Sequence, residues 1–199
     1  GEPLLNKGLP DAIVAGKRRG MDICLVTNGT LLTREILEKI EPCLSFLRVS
    51  ALAHDSKLYA KLHNCPEDQF PLVIKALEDA VKIRDRDNLD ILIIATFIVF
   101  DFSIPYIVDT ARLLKNIGIN IFKAWPAVVM GHNEKHNWEL ASLHRKYKEK
   151  FFEAKSLEDE EFKVFLNEKN LDMFMNNKPT FRPYTKCYGV EFETHIDAD

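Results

Sequence analysis

Helical and strand-like segments alternate along residues 9–125, and this order constrains the chain more than any other feature. Leu9 to Arg19 reads as a helix, with Pro10 near its start and Gly20 just past its end. Asp22 to Val26 reads as a short strand, followed by the turn Thr27-Asn28-Gly29. Thr33 to Ile40 carries apolar residues at 36, 37 and 40, one face of a helix. Leu44 to Ser50 is the next strand, and Asp55 to His63 and Phe70 to Ile83 are helical. Leu89 to Phe100 is an apolar, β-branched run that fits a strand buried on both faces. Ser103 is placed to cap a helix that has Pro105 in its first turn and Gly118 as its stop. Ile119 to Trp125 is a fourth strand.

Such alternation predicts an α/β fold: a parallel sheet with helices outside it, either an α/β barrel or a doubly wound sheet. In both, ligands sit at the C-terminal ends of the strands. The residues there are Thr27-Asn28-Gly29, Ser50, Phe100-Asp101 and Trp125-Pro126. Glu2 joins them if another strand ends just before Gly1. After Pro126 the pattern changes. Trp138 to Lys155 and Leu157 to Phe174 read as charged, amphipathic helices with no strand between them. Asn176 to Thr185, with Pro179 and Pro183, reads as a linker. A new element begins near Tyr184 and runs into Val190 to Ile196, which alternates like a strand. No internal repeat or low-complexity tract occurs.

Composition removes several function classes. An apolar content of 46% excludes intrinsic disorder. With 27 Lys+Arg against 30 Asp+Glu, no surplus of positive charge awaits phosphates, so no nucleic-acid partner is expected. Four widely spaced Cys do not make a disulfide scaffold. The longest apolar run, Ile91 to Phe100, has ten residues, whereas a spanning helix needs about 20. With no signal peptide at Gly1-Glu2-Pro3-Leu4, a cytoplasmic location and no membrane partner are expected. Gly1 in place of Met, and an ending at Asp199 with no capping signal, suggest an internal piece of a longer protein.

Nucleotide-binding glycine motifs are absent. His132 and His136 are spaced i,i+4 with Glu134 between them, a spacing that zinc hydrolases use on a helix. The Glu does not directly follow the first His, as the protease order requires, and a solvated surface is the plainer reading. Cys24, in the middle of a strand, reads as a small core residue, and Cys43 as core or near-core. Cys65, in a loop, is the more exposed candidate, its plainer reading a bystander thiol. Cys187 stands apart with no apolar segment to bury it, so a metal-ligand role is open. Thr27-Asn28-Gly29 is a turn that can also offer polar groups to a ligand. Ser50 could cap the following helix or meet a ligand, and Asp55 reads as the helix N-cap.

Four of these segments, in order, resemble the radical S-adenosylmethionine (radical SAM) enzyme family. Gly1-Glu2-Pro3-Leu4-Leu5 is similar to the family's Gly-Gly-Glu-Pro after its second strand. Leu25-Val26-Thr27-Asn28-Gly29-Thr30 resembles its third strand, and Leu47-Arg48-Val49-Ser50 its fourth. Tyr59-Ala60-Lys61-Leu62-His63 resembles the helix that follows. The likeness implies a partial (β/α)6 TIM-like barrel over residues 1–128, a helical segment and linker over 129–183, and the start of a C-terminal domain over 184–199. There Cys187 resembles the first cysteine of a SPASM or twitch auxiliary-cluster domain.

The chemistry implied is reductive cleavage of S-adenosylmethionine at a [4Fe–4S] cluster. The resulting 5′-deoxyadenosyl radical would abstract hydrogen from a peptide or small-molecule substrate. An electron donor such as flavodoxin or ferredoxin is implied as a partner. By resemblance, Glu2 would accept from the methionine ammonium, and Thr27 and Asn28 would line the adjacent rim. Ser50 would contact the ribose or the methionine carboxylate, and backbone near Val99 and Phe100 would flank the adenine. Cys187 would ligate an auxiliary [4Fe–4S] cluster. Two departures stand out. The Cys-x3-Cys-x2-Cys signature that holds the catalytic cluster does not occur, so this chain alone is expected to be inactive. Position 52 is Leu where relatives often carry Asp or Asn. A barrel missing one side would also expose an edge at the Asp22–Val26 strand, which invites aggregation. Two other classes remain: a non-catalytic α/β binding domain, and a zinc hydrolase built on His132 and His136.

Overall fold

The computed structural model describes residues 1–50, 52–126 and 147–166. Five strands form one all-parallel sheet: β1 (Ile23–Thr27), β2 (Leu44–Val49), β3 (Leu92–Val99), β4 (Ile121–Pro126) and β5 (Lys163–Leu166). Their order across the sheet is their order along the chain. A doubly wound sheet reverses strand order at a switch point. This sheet never reverses, so of the two expected windings it has the barrel type, with β1 and β5 as its edges among the described residues.

Helices α1 (Leu9–Arg18), α2 (Arg34–Ile40), α3 (Ser56–His63), α4 (Gln69–Asp87), α5 (Ile107–Ile117) and α6 (Lys148–Lys155) complete the described chain. Local chemistry sets their ends. Thr33 accepts from the Ile36 amide to start α2, and Asp55 accepts from the Leu58 amide at 2.8 Å to start α3. Asp55 therefore takes the capping role, and Ser50 does not. Gly118 closes α5 in the left-handed region, at φ +95, as expected. Ser103 departs from expectation. Its hydroxyl accepts from the Phe100 amide at 2.8 Å and donates to the Ile98 carbonyl at 2.9 Å, so it ties off the end of β3 and caps no helix. A short 3₁₀ turn, Ile104–Tyr106, leads into α5 instead.

The core lies between the sheet and the helices. Leu47, Val49, Ile93, Ala95, Phe97, Phe122 and Val164 have no solvent exposure, and they join Leu37, Leu77, Ala80, Ala111 and Leu114 of the helices in one cluster. Burying each large apolar side chain stabilises by about 1.5–3 kcal/mol. Strand alternation puts Phe46, Arg48, Lys123, Trp125 and Phe165 on the opposite, concave face. Alternation also corrects the expectation for Cys24. Leu25 and Thr27 face the core, so Cys24 faces away from it, on an edge strand, and is exposed. Cys65, expected to be the more exposed thiol, is half-buried against the core, and burial pushes its pKa up. Cys43 packs against the same core, as expected.

The sequence pattern predicts a helix over the Leu157–Phe174 stretch, and residues 163–166 of it are a strand instead. Asp159 accepts from the amides of Glu161 and Phe162, which turns the chain out of a helical path. Phe162 and Val164 then bury themselves under α6, while Lys163 and Phe165 point away. The β4 edge supplies the backbone partners, a long-range effect that helical periodicity cannot report.

Candidate functional site

Glu2 organises the C-terminal rim of the sheet. It precedes a 3₁₀ turn, Pro3–Leu5, and its Oε1 accepts from the Leu4 amide at 3.2 Å. The same oxygen accepts from the Thr27 hydroxyl at 2.6 Å, and Oε2 accepts from the Asn28 amide at 2.8 Å. One carboxylate thus joins the chain start to the end of β1. An ionised carboxylate offers about four acceptor positions. Three are used among the described residues, which leaves capacity for one further donor.

The turn after β1 is built to hold this geometry. The Thr27 hydroxyl accepts from the Gly29 amide at 3.0 Å, while the Asn28 side-chain oxygen accepts from both the amide and the hydroxyl of Thr30. Gly29 has φ +84, and a Cβ there would meet Val49 at 3.0 Å and Val73 at 3.1 Å. Only glycine fits both the conformation and the space. The Ser50 amide donates to the Thr27 carbonyl at 2.9 Å, which brings the end of β2 to the same place. Gly1, Glu2, Pro3, Val26, Thr27, Asn28 and Ser50 together line a cavity of about 230 Å³. Larger clefts of about 740 and 510 Å³ lie at the opposite, N-terminal ends of the strands. The smaller cavity is the better candidate, because parallel α/β sheets bind ligands at their C-terminal ends.

Glu2, Thr27, Asn28 and Ser50 are therefore brought together. Val99 and Phe100 lie apart from them at the end of β3. Val99 is buried, and the Phe100 amide and carbonyl are taken by Ser103 and Ile104. The Phe100 ring stacks on Phe102 with centroids 5.3 Å apart, and the Lys61 ammonium lies 3.9 Å over the Phe102 ring. Leu52, where relatives often have a polar residue, is fully buried, and its amide donates to the Thr96 carbonyl at 2.7 Å. Its side chain has no access to a ligand. Cys187, His132 and His136 lie outside the described residues, as do the 184–199 segment and most of 129–183.

Two cations lie outside this rim, and no site role was expected of them. Arg48 and Lys123 stand on the concave face, and the signal was visible as single cations inside the apolar strands Leu44–Val49 and Ile121–Pro126. No group of three or more Cys, His, Asp or Glu able to hold a metal ion occurs among the described residues. They do not fit an iron–sulfur cluster. No described helix is long and apolar enough to cross a membrane.

No family model matches the chain. It is 31% identical over 100 residues to the Fe-coproporphyrin III synthase of Methanosarcina barkeri, a match that covers 43% of this chain and 25% of that protein. Its fold is similar to that of SuiB from Streptococcus suis, with a TM-score of 0.63 at 16% identity, over 90% of this chain and 40% of SuiB. SuiB has also been solved bound to S-adenosylmethionine and to its precursor peptide SuiA. A domain of the pyruvate-formate lyase-activating enzyme from Bacteroides vulgatus matches with a TM-score of 0.55 at 14% identity, over 84% of this chain and 94% of that domain. The local sequence match and the shared fold agree with the resemblance of the ordered motifs to the radical S-adenosylmethionine family.

Proposed function

We propose that this chain supplies the S-adenosylmethionine-binding wall of a radical SAM enzyme. The observation that carries this reading is the Glu2 carboxylate. It is fixed by Thr27, Leu4 and Asn28, keeps one acceptor position, and opens on the rim cavity. In this reading the free acceptor takes the methionine ammonium, a charge-assisted hydrogen bond. Thr27 and Asn28 line the pocket beside it. Ser50 meets the methionine carboxylate or the ribose, and since Leu52 is buried, the ribose gets no help from position 52. The strand end at Val99 and Phe100 flanks the adenine through packing, because the Phe100 backbone groups are already occupied.

Bound S-adenosylmethionine, cleaved reductively at a [4Fe–4S] cluster held elsewhere, would supply the radical that removes hydrogen from substrate. The part of this wall is to orient the methionine end and to shield it from water. Cys187 is proposed as a ligand of an auxiliary cluster, and a flavodoxin or ferredoxin as electron donor. The substrate is proposed to be a peptide or a small molecule, as the relatives' names suggest for them.

Glu2→Gln tests this reading. Loss of a charged acceptor should weaken S-adenosylmethionine binding by about 1–3 kcal/mol, measured by calorimetry on the full-length protein. Because Glu2 also tethers β1, the thermal midpoint is measured alongside. Unchanged affinity removes Glu2 from the site. A fall in affinity with an unchanged midpoint supports the ligand contact.

A further inference from the structure

Two cations on the concave face of the sheet have no counter-charge among the described residues. Arg48 on β2 is in register with Ile94, and Lys123 on β4 with Thr96. Strand spacing puts their Cα atoms about 12 Å apart, two strands across and two residues along. Neither makes an ion pair with a described carboxylate. Elsewhere Arg34, Lys39, Lys75, Arg86 and Arg112 all do. The Arg48 Nε is shut off from solvent with no hydrogen-bond partner among the described residues. Among the described residues the Lys123 ammonium meets the Phe165 ring, at 5.9 Å. Apart from Thr96 the floor around them is apolar, and on it Trp125 is 38% and Phe165 53% exposed.

Holding a cation over an apolar floor is unfavourable unless an anion meets it. This chain has three more acidic than basic residues, yet it places no described carboxylate there. Glu2 lies apart from them, in a rim cavity that neither Arg48 nor Lys123 lines. We propose that Arg48 and Lys123 recognise carboxylate groups of the substrate, whose apolar body lies against Trp125 and Phe165. The substrate class is then a carboxylate-bearing molecule with an extended apolar surface. The methionine carboxylate of the cofactor is a poorer candidate. It is a single group, and the cavity that would hold it is lined by neither Arg48 nor Lys123. This inference deepens the proposed function and rests on it only for placing the substrate over the cofactor.

The test measures binding to the full-length protein by equilibrium dialysis, with coproporphyrin III, a flat apolar tetracarboxylic acid, as the probe. S-adenosylmethionine affinity is measured in parallel. Arg48→Gln and Lys123→Gln should each weaken the probe by about tenfold, and Arg48→Lys should restore part of the loss. S-adenosylmethionine affinity should not change. Probe affinity that is absent or indifferent to both variants overturns the proposal. Weakened S-adenosylmethionine with an unaffected probe also overturns it, by assigning Arg48 to the cofactor. If the protein binds no S-adenosylmethionine but both variants still weaken the probe, the radical SAM reading fails and this inference stands. Removing an unpartnered cation should leave the thermal midpoint unchanged or raised, so a folding defect is distinguishable.

Discussion

Glu41 is a carboxyl buried where it cannot be satisfied, and Glu41→Gln should therefore stabilise the protein at neutral pH. Glu41 follows α2 and has no solvent exposure, and neither carboxylate oxygen has a hydrogen-bond partner among the described residues. The Arg84 guanidinium is the main attraction acting on it, but that group is committed to the Gly118 carbonyl, the Asn120 side chain and Asp85. Burial dominates and pushes the Glu41 pKa from the usual 4.5 to about 8. The sign follows from proton binding. Between these two values the folded protein holds a proton that the unfolded chain releases, so stability falls as pH rises. The slope is about 1.4 kcal/mol per pH unit, which amounts to about 3 kcal/mol by pH 7. Below pH 4.5 the cost vanishes, and above pH 8 it levels off. Gln keeps the shape and cannot ionise. Urea unfolding of both proteins between pH 4.5 and 8 measures the difference. The variant should match the wild type near pH 4.5 and exceed it by about 3 kcal/mol at pH 7, a large share of a typical domain's 5–15 kcal/mol. Parallel profiles across this range would refute the reasoning, because they would mean that the carboxylate is solvated or paired.

Gly29→Ala should destabilise by about 1–3 kcal/mol, from a Cβ at positive φ that presses on Val49 and Val73. It should also weaken S-adenosylmethionine binding, since the turn holds the Thr27 hydroxyl; denaturant unfolding and calorimetry read the two effects. Among the described thiols, Cys24 should react first with iodoacetamide under native conditions, ahead of half-buried Cys43 and Cys65. Peptide mapping would show the order, and equal rates would contradict the exposed placement of Cys24 on the concave face of β1.

Much of the fold was legible in the sequence because its signals are local. Pro10, Thr33, Asp55 and Gly118 act within one helical turn of themselves, so helix positions could be read from residue order alone. The apolar run around Ile93 and Phe97 announced a buried strand for the same reason. At the site, Thr27, Asn28 and Ser50 were legible as strand ends. Long-range choices were not. Alternating elements allowed a barrel or a doubly wound sheet, and only the pairing of each strand with its chain neighbour separates them. Cys24 looked like core because its strand is apolar, but which face of a strand is buried depends on what packs against it. Residues 163–166 became a strand because β4 offered an open edge, a partner some 40 residues earlier in the chain. Glu2 carried no meaning alone. Hydrogen bonds to Thr27 and Asn28, 25 and 26 residues on, turned it into the organiser of a rim cavity. Sequence determines such a chain where interactions are short in residue number. Tertiary structure decides where distant groups must meet, because only the fold brings them within hydrogen-bond reach.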